Sequence, residues 1–277
     1  MRKVHGNFQG TGSVNLFFRA WLPGNPIKGV LQILHGFGEH SDRYENLVEK
    51  LVPQGFAIFA HDHRGHGKSG GIRGHIDSFQ DYIEDTRQFY ASVVLPRSQK
   101  KPIFLLGHSM GSIVALNYLQ TEQDHYQGAV LSGTGCEPKN SGPMNILVKG
   151  LSSALPRGKF KFPLPPSFIS RDQEVVEKYE KDPLVERKLS FRLAGELFTW
   201  FEKGVEDAKD LYLPILLQCG SEDQAFQGEQ VLFNKIGSKD KKLNLYPGLY
   251  HEVYNELEED RERVLDDLLN WLLERLD

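Results

Sequence analysis

The sequence predicts an α/β fold: a mostly parallel central sheet with helices on both faces and one inserted segment. Two observations predict the sheet. Short apolar runs recur along the 277 residues, separated by longer stretches of helical periodicity. Several of these runs are continuous rather than alternating, as strands buried on both faces require. A third observation marks the insertion: residues 137–208 show no clear strand.

The elements follow in order. Residues 14–22 (VNLFFRAWL) read as a strand, expected to be antiparallel, and residues 30–34 (VLQIL) as the next. Residues 56–60, 103–106, 129–131, 213–218 and 243–246 complete the set. Helical patterns fall around residues 44–51, 79–94, 112–119, 231–236 and 260–276. The last aligns Val264, Leu268, Trp271, Leu272 and Leu276 on one stripe with charge opposite, a face that packs on the core. Within the insertion, the first half scatters Pro143, Pro156, Pro163, Pro165 and Pro166 among apolar residues. The second half reads as helix over residues 172–180 and 189–201. So long an interruption inside a compact domain is usually a lid or small cap. The expected division is a core of residues 1–136 and 209–277 and a cap of residues 137–208.

Apolar residues make up 39% and charged residues 25%, enough for a large core under a solvated surface. The net charge of −4 argues against nucleic acid as a partner, and no basic block marks an anionic membrane anchor. No apolar run approaches the roughly 20 residues that span a bilayer. The polar residues 1–10 carry no leader-like apolar run. Cys136 and Cys219 are too few for a disulfide framework and read as reduced thiols. A cytoplasmic location is expected from these features.

The chemistry-bearing pattern is G-x-S-x-G. It occurs twice, around Ser69 (GKSGG) and around Ser109 (GHSMG). Only the second follows an apolar run, IFLL, and leads into a helical one, SIVALNYL, the strand–turn–helix context in which this motif exposes a nucleophile. Ser109 is therefore the expected nucleophile, and Ser69 a loop residue. The backbone N–H of Met110, at the start of that helix, is the expected first oxyanion donor. This context belongs to α/β-hydrolases, whose triad runs Ser, acid, His along the chain. His125 and His251 alone follow Ser109. His125 lies at the far end of the helix, about 20 Å from the hydroxyl at 1.5 Å per residue. His251, in a loop after the residue 243–246 strand, is the expected base. The acid should stand at a strand end between them. The run Cys219-Gly220-Ser221-Glu222-Asp223 offers Asp223, with Glu222 as the alternative. The loop after residues 30–34 begins His35-Gly36, which makes the Phe37 amide the expected second oxyanion donor. A rival reading uses His61, His63 and His66, whose H-x-H-x-x-H spacing could ligate zinc in a metallo-hydrolase.

The run HGFGEHSDRY from His35 to Tyr44 resembles the HGxGEHxxRY motif of monoacylglycerol lipases and related lysophospholipases. The run from Asp62 to Ser69 is similar to that family's DxRGHGxS loop, which gives the histidines a structural role. Ser170-Arg171-Asp172 and the run from Tyr179 to Leu184 resemble its cap segments; Gly220 to Asp223 and Tyr250 to Glu252 resemble its acid and histidine motifs. The resemblance implies hydrolysis of a carboxylic ester in a single-acyl-chain lipid, without a cofactor. Monoacylglycerol is its leading substrate, followed by lysophospholipid and then simple esters. It implies that Glu39 and Arg43 organise the alcohol end of the pocket, or else support the oxyanion loop. It also implies substrate contacts for Tyr179 and for Tyr254, which stands where some members carry histidine. The cap should house the acyl chain with Met144, Ile146, Leu147, Val148, Leu151, Leu155, Phe160, Phe162, Leu164, Phe168 and Ile169. An apolar cap would also dock transiently on membranes or micelles.

Overall fold

A computed structural model describes residues 1–138 and 144–276, with the backbone alone for Pro138 and residues 144–147. The expected contributions of Pro143 and of the Met144, Ile146 and Leu147 side chains lie outside the described residues.

In chain order the elements are β1 (Arg2–Gln9), β2 (Asn15–Leu22), β3 (Gly29–Leu34), α1 (Glu45–Leu51), β4 (Phe56–His61) and α2 (Gln80–Phe89). Then come β5 (Ile103–His108), α3 (Met110–Glu122), β6 (Gly128–Ser132) and β7 (Glu137–Pro138). The insertion holds α4 (Met144–Ala154), β8 (Lys159–Lys161), α5 (Gln173–Lys181), β9 (Lys188–Ser190) and α6 (Phe191–Asp207). The chain returns through β10 (Ile215–Gly220), β11 (Phe226–Gln227), α7 (Glu229–Lys235), β12 (Lys241–Tyr246) and α8 (Glu258–Leu273).

Eight strands form one sheet in the order β1-β2-β4-β3-β5-β6-β10-β12. β2 pairs antiparallel with β1 and β4, and every other pairing is parallel. Each residue of β3, β4, β5, β6 and β10 is buried, which explains their mostly apolar runs; the buried Gln32 and Gln218 interrupt two of them. Successive side chains still alternate between faces. Leu105, Leu131 and Leu217 join the core with α2, α3 and α6, while Phe104, Leu106, Val130 and Leu216 join the core with α1 and α8. The α8 stripe is buried at Val264, Leu268, Trp271 and Leu272, with Leu276 packed against it.

The expected strands all form, with ends that differ by no more than two residues: β2 starts one residue later, at Asn15, and β10 is shifted by two, to Ile215–Gly220. Six elements lacked a legible signal: β1, α4, and the short pairs β7 with β11 and β8 with β9. The insertion adds no strand to the large sheet. Among the described residues no helix is long and apolar enough to cross a membrane.

Candidate active site

Ser109 sits at the bend between β5 and α3 with φ 54° and ψ −118°. A positive φ in a residue carrying a Cβ costs of order 1–3 kcal/mol. The surroundings hold it there: its N–H donates to the Ser132 carbonyl at 2.9 Å, and its own carbonyl accepts from the Ser112 hydroxyl at 2.6 Å. The two motif glycines are demanded by space. A Cβ at Gly107 would stand 2.4 Å from the Gly111 carbonyl oxygen, and one at Gly111 would stand 2.0 Å from the Leu34 carbonyl oxygen. Gly111→Ala should therefore push α3 off β3 and destabilise the fold by about 1–3 kcal/mol. An unchanged urea midpoint would show that the contact yields without cost.

His251 joins two distant residues. Its Nδ1 donates to Asp223 Oδ2 at 2.8 Å, and its Nε2 lies 2.9 Å from Ser109 Oγ. Asp223 follows β10, and its Oδ1 accepts from the Ala225 N–H at 2.7 Å, which fixes the carboxylate. Burial opposes the Asp223 charge, but the imidazole and these amides hold its pKa below the ordinary value. Burial likewise opposes protonation of His251, yet the Asp223 carboxylate prevails and raises the imidazole above 6.5. Glu222, the alternative acid, is exposed. His125 lies beyond the far end of α3, stacked on Tyr90 at 5.1 Å. Ser69 is buried in a loop, where its hydroxyl accepts from the Phe17 N–H at 2.8 Å and donates to the Asp62 carbonyl.

The loop after β3 passes directly by the serine: a Cβ on Gly36 would lie 3.1 Å from the Ser109 Cβ. This loop is held at both ends of one residue. Gly36 donates its N–H to Glu39 Oε1 at 2.6 Å, and its carbonyl accepts from His35 Nδ1 at 2.7 Å. In a trans peptide the next N–H points opposite to that carbonyl. The Phe37 amide is thus oriented through the Gly36 carbonyl. Among the described residues, neither the Phe37 nor the Met110 N–H meets a protein acceptor.

Gly36, Phe37, Glu39, His108, Ser109, Phe162, Leu164, Ile169, Tyr179, His251 and Glu252 line a cavity of about 20 Å³. The lining mixes apolar side chains (Phe37, Phe162, Leu164 and Ile169, with the Phe37 and Phe162 rings 4.9 Å apart) and polar ones (Glu39, Tyr179 and Glu252). Arg43 stands behind the polar side chains. It grips Glu252 with two hydrogen bonds of 2.6 and 2.8 Å, reaches Glu39 at 3.4 Å and lies 4.7 Å from the Tyr179 ring centre. Burial, joined by the nearby Glu252 charge, pushes the Glu39 carboxyl up to about 7 against the pull of Arg43. Burial also opposes the charge of Glu252, but Arg43 keeps its pKa below the ordinary value. Arg43 therefore supports the wall, while Glu39 both lines the cavity and braces the loop after β3.

Tyr254 does not line the cavity. The tight turn after His251 sends its ring into the core beside α8, where its hydroxyl donates to Gln218 Oε1 at 2.8 Å. The zinc reading also fails. Among the described residues no three His, Cys, Asp or Glu side chains are grouped to hold a metal ion. His61 packs on Phe8 and Phe89, His63 on Tyr82 and His66 on Phe37. Burial lowers His61 to about 4 and His66 to about 3, so these rings are neutral. Their loop is a buttress instead: the His63 N–H donates to His35 Nε2 at 2.9 Å, and Asp62 accepts the Ser41 N–H at 2.8 Å. Glu252 and His108 were not anticipated at the cavity. The partner of Glu252 is 209 positions away, so no local pattern announces it.

A glycine-flanked serine at a strand-to-helix bend, on a mostly parallel sheet, defines a serine hydrolase of the α/β-hydrolase fold. Residues 25–258 match the family model Hydrolase_4, described as "Serine aminopeptidase, S33", and the chain belongs to that family. It is 33% identical to the monoacylglycerol lipase of Mycolicibacterium smegmatis, over 98% of this chain and 97% of the relative. It is 33% identical to the monoglyceride lipase of Homo sapiens, over 94% of this chain and 87% of the relative. The crystal structure of Paleococcus ferrophilus monoacylglycerol lipase superposes with a TM-score of 0.83 at 31% identity, covering 94% of this chain and 99% of that one.

Proposed function

We propose that this chain hydrolyses monoacylglycerols to a fatty acid and glycerol through an acyl-enzyme on Ser109. The observation that carries this reading is the hydrogen-bonded line Asp223–His251–Ser109, at 2.8 and 2.9 Å, whose histidine and serine line a cavity with both apolar and polar side chains. Ser109 Oγ attacks the ester carbonyl as its proton passes to His251 Nε2, and Asp223 stabilises the imidazolium. The unengaged amides of Phe37 and Met110 receive the oxyanion. His251 then protonates the departing alcohol oxygen, accepts a proton from water, and the water releases the acid.

The polar side chains of the lining select the alcohol. Glu252 is paired with Arg43, and burial lifts the Glu39 carboxyl to about 7, so the lining offers neither a free cation for a phosphate nor a full, unpaired anion for an ammonium. Carboxyl oxygens and the Tyr179 hydroxyl suit the hydroxyl groups of a neutral polyol. This favours glycerol over a lysophospholipid headgroup, and an ester over the peptide amine that the family description names. Residues 137–208 act as a cap in this reading. The cavity has room for little more than one water, so an acyl chain enters only when the wall of Phe162 and Leu164 gives way. Contact of the cap with a lipid aggregate would supply that opening.

A substrate panel tests the proposal. With monoacylglycerols, kcat/KM should rise with acyl length, by up to about fourfold per methylene at 0.8 kcal/mol each. Monoacylglycerol should exceed lysophosphatidylcholine of the same chain by at least about tenfold. A response flat from short to long chains would remove the lipid reading, and a preference for lysophosphatidylcholine would remove the headgroup reading.

A further inference from the structure

Between Glu137 and Asp172 the chain contains no acidic residue, yet it carries Lys139, Lys149, Arg157, Lys159, Lys161 and Arg171 in a protein of net charge −4. β8 continues into the cavity wall with strict alternation. Lys159 and Lys161 are exposed, Phe160 stacks on Phe191 at 5.1 Å, and Phe162 lines the cavity beside Ser109. The register of β8 with β9 places Lys161 opposite Lys188, also exposed. Like charges directly across a strand pair destabilise it. Arg157 stands on the preceding turn, closed by the Gly158 N–H on the Leu155 carbonyl at 3.0 Å, and Leu155 is 56% exposed.

Four cations of the ribbon and its turn differ from their neighbours. Lys149, Arg171, Lys181 and Lys203 each meet a carboxylate. Arg157, Lys159, Lys161 and Lys188 have none among the described residues. The acid nearest Lys188 in sequence, Glu186, faces Arg73 at 3.7 Å. The bases are spaced along two stretches, so no block shows in the sequence; the ribbon gathers them.

We propose that this outer face of the β8–β9 ribbon docks the protein on a lipid surface of net negative charge, a step that rests on the reading of the insertion as a cap over a lipid-ester site. A plane of anionic headgroups relieves the Lys161–Lys188 repulsion, and exposed Leu155 adds apolar contact beside it. The inner face of the same ribbon carries the cavity wall, so docking sets the entrance against the lipid that supplies the substrate. Each basic residue near an anionic surface contributes about 1 kcal/mol, or roughly fivefold in partitioning.

The test is sedimentation of the intact chain with phosphatidylcholine vesicles, with and without one-third phosphatidylglycerol. The unaltered chain should partition into the anionic vesicles and be released by high salt. The Lys159→Gln, Lys161→Gln, Lys188→Gln variant should bind these vesicles on the order of 100-fold less. Its unchanged hydrolysis of soluble p-nitrophenyl acetate would show an intact fold and site. If the triple variant unfolds, Lys161→Gln and Lys188→Gln alone should each cost roughly fivefold. Equal partitioning into neutral vesicles, insensitivity to salt, or undiminished binding by the variants would overturn the proposal. A chain that hydrolyses no ester yet binds anionic vesicles as described would sink the enzymatic reading and leave the docking surface standing.

Discussion

Ser109→Ala should lower kcat on every ester by a factor on the order of 10⁶, because base, acid and oxyanion donors act on one hydroxyl. The loss should be chemical and not structural. Among the described residues the Ser109 hydroxyl bonds to His251 alone, so stability should change by no more than about 1 kcal/mol. Substrate binding should survive, with the Kd of a non-hydrolysable ether analogue unchanged. Covalent labelling by a fluorophosphonate should vanish. Ser69→Ala supplies the contrast. Ser69 bridges the Phe17 N–H and the Asp62 carbonyl, so its loss should weaken the fold and leave the turnover of folded enzyme largely intact. Ester turnover by the Ser109 variant above a few per cent of the unaltered chain would place the nucleophile elsewhere.

Asp223→Asn should lower kcat on the order of 10⁴-fold, since an amide neither holds the needed tautomer nor stabilises the imidazolium. The pH profile makes this variant diagnostic. His251 must be neutral to accept the serine proton, so activity falls as pH drops through its pKa. In the unaltered chain the Asp223 carboxylate overcomes burial and sets that pKa above 6.5. Without the carboxylate, burial is opposed by the weaker pull of the Glu252 and Glu39 charges, and the acidic limb should move to lower pH while the plateau collapses. Glu222→Gln, on an exposed side chain, should stay within about twofold of the original. Exchange of the two phenotypes would make Glu222 the acid. A limb that stays in place in Asp223→Asn would mean that the imidazole owes nothing to this carboxylate.

Legibility in the sequence followed the range of the forces involved. The inner strands were readable because burial on both faces demands apolar side chains at most positions, with exceptions such as Gln32 and Gln218. β1 was not, since as an edge strand it buries only Phe8. β8 and β9 are three residues each and pair across a long connection, so neither has a local signature. Helix α4 was obscured by the prolines around it. At the site, Ser109 was marked by glycines that its bend requires sterically, and Asp223 and His251 by their places after strands. Tyr254 was misplaced because the facing of a tight turn depends on what packs against it. The zinc alternative arose because H-x-H-x-x-H spacing does not specify where three rings point.

By itself the sequence determined the alternation of elements, the strained serine between two glycines, and the strand ends that carry Asp223 and His251. These follow from steric and hydrophobic rules acting over a few residues. Tertiary structure alone decided that His251 reaches across 142 positions to Ser109, that Arg43 closes on Glu252 across 209, and that Lys161 faces Lys188. Hydrogen bonds and charge contacts form over a few ångströms, so they depend on the register and rotamers of segments that only the folded core brings together.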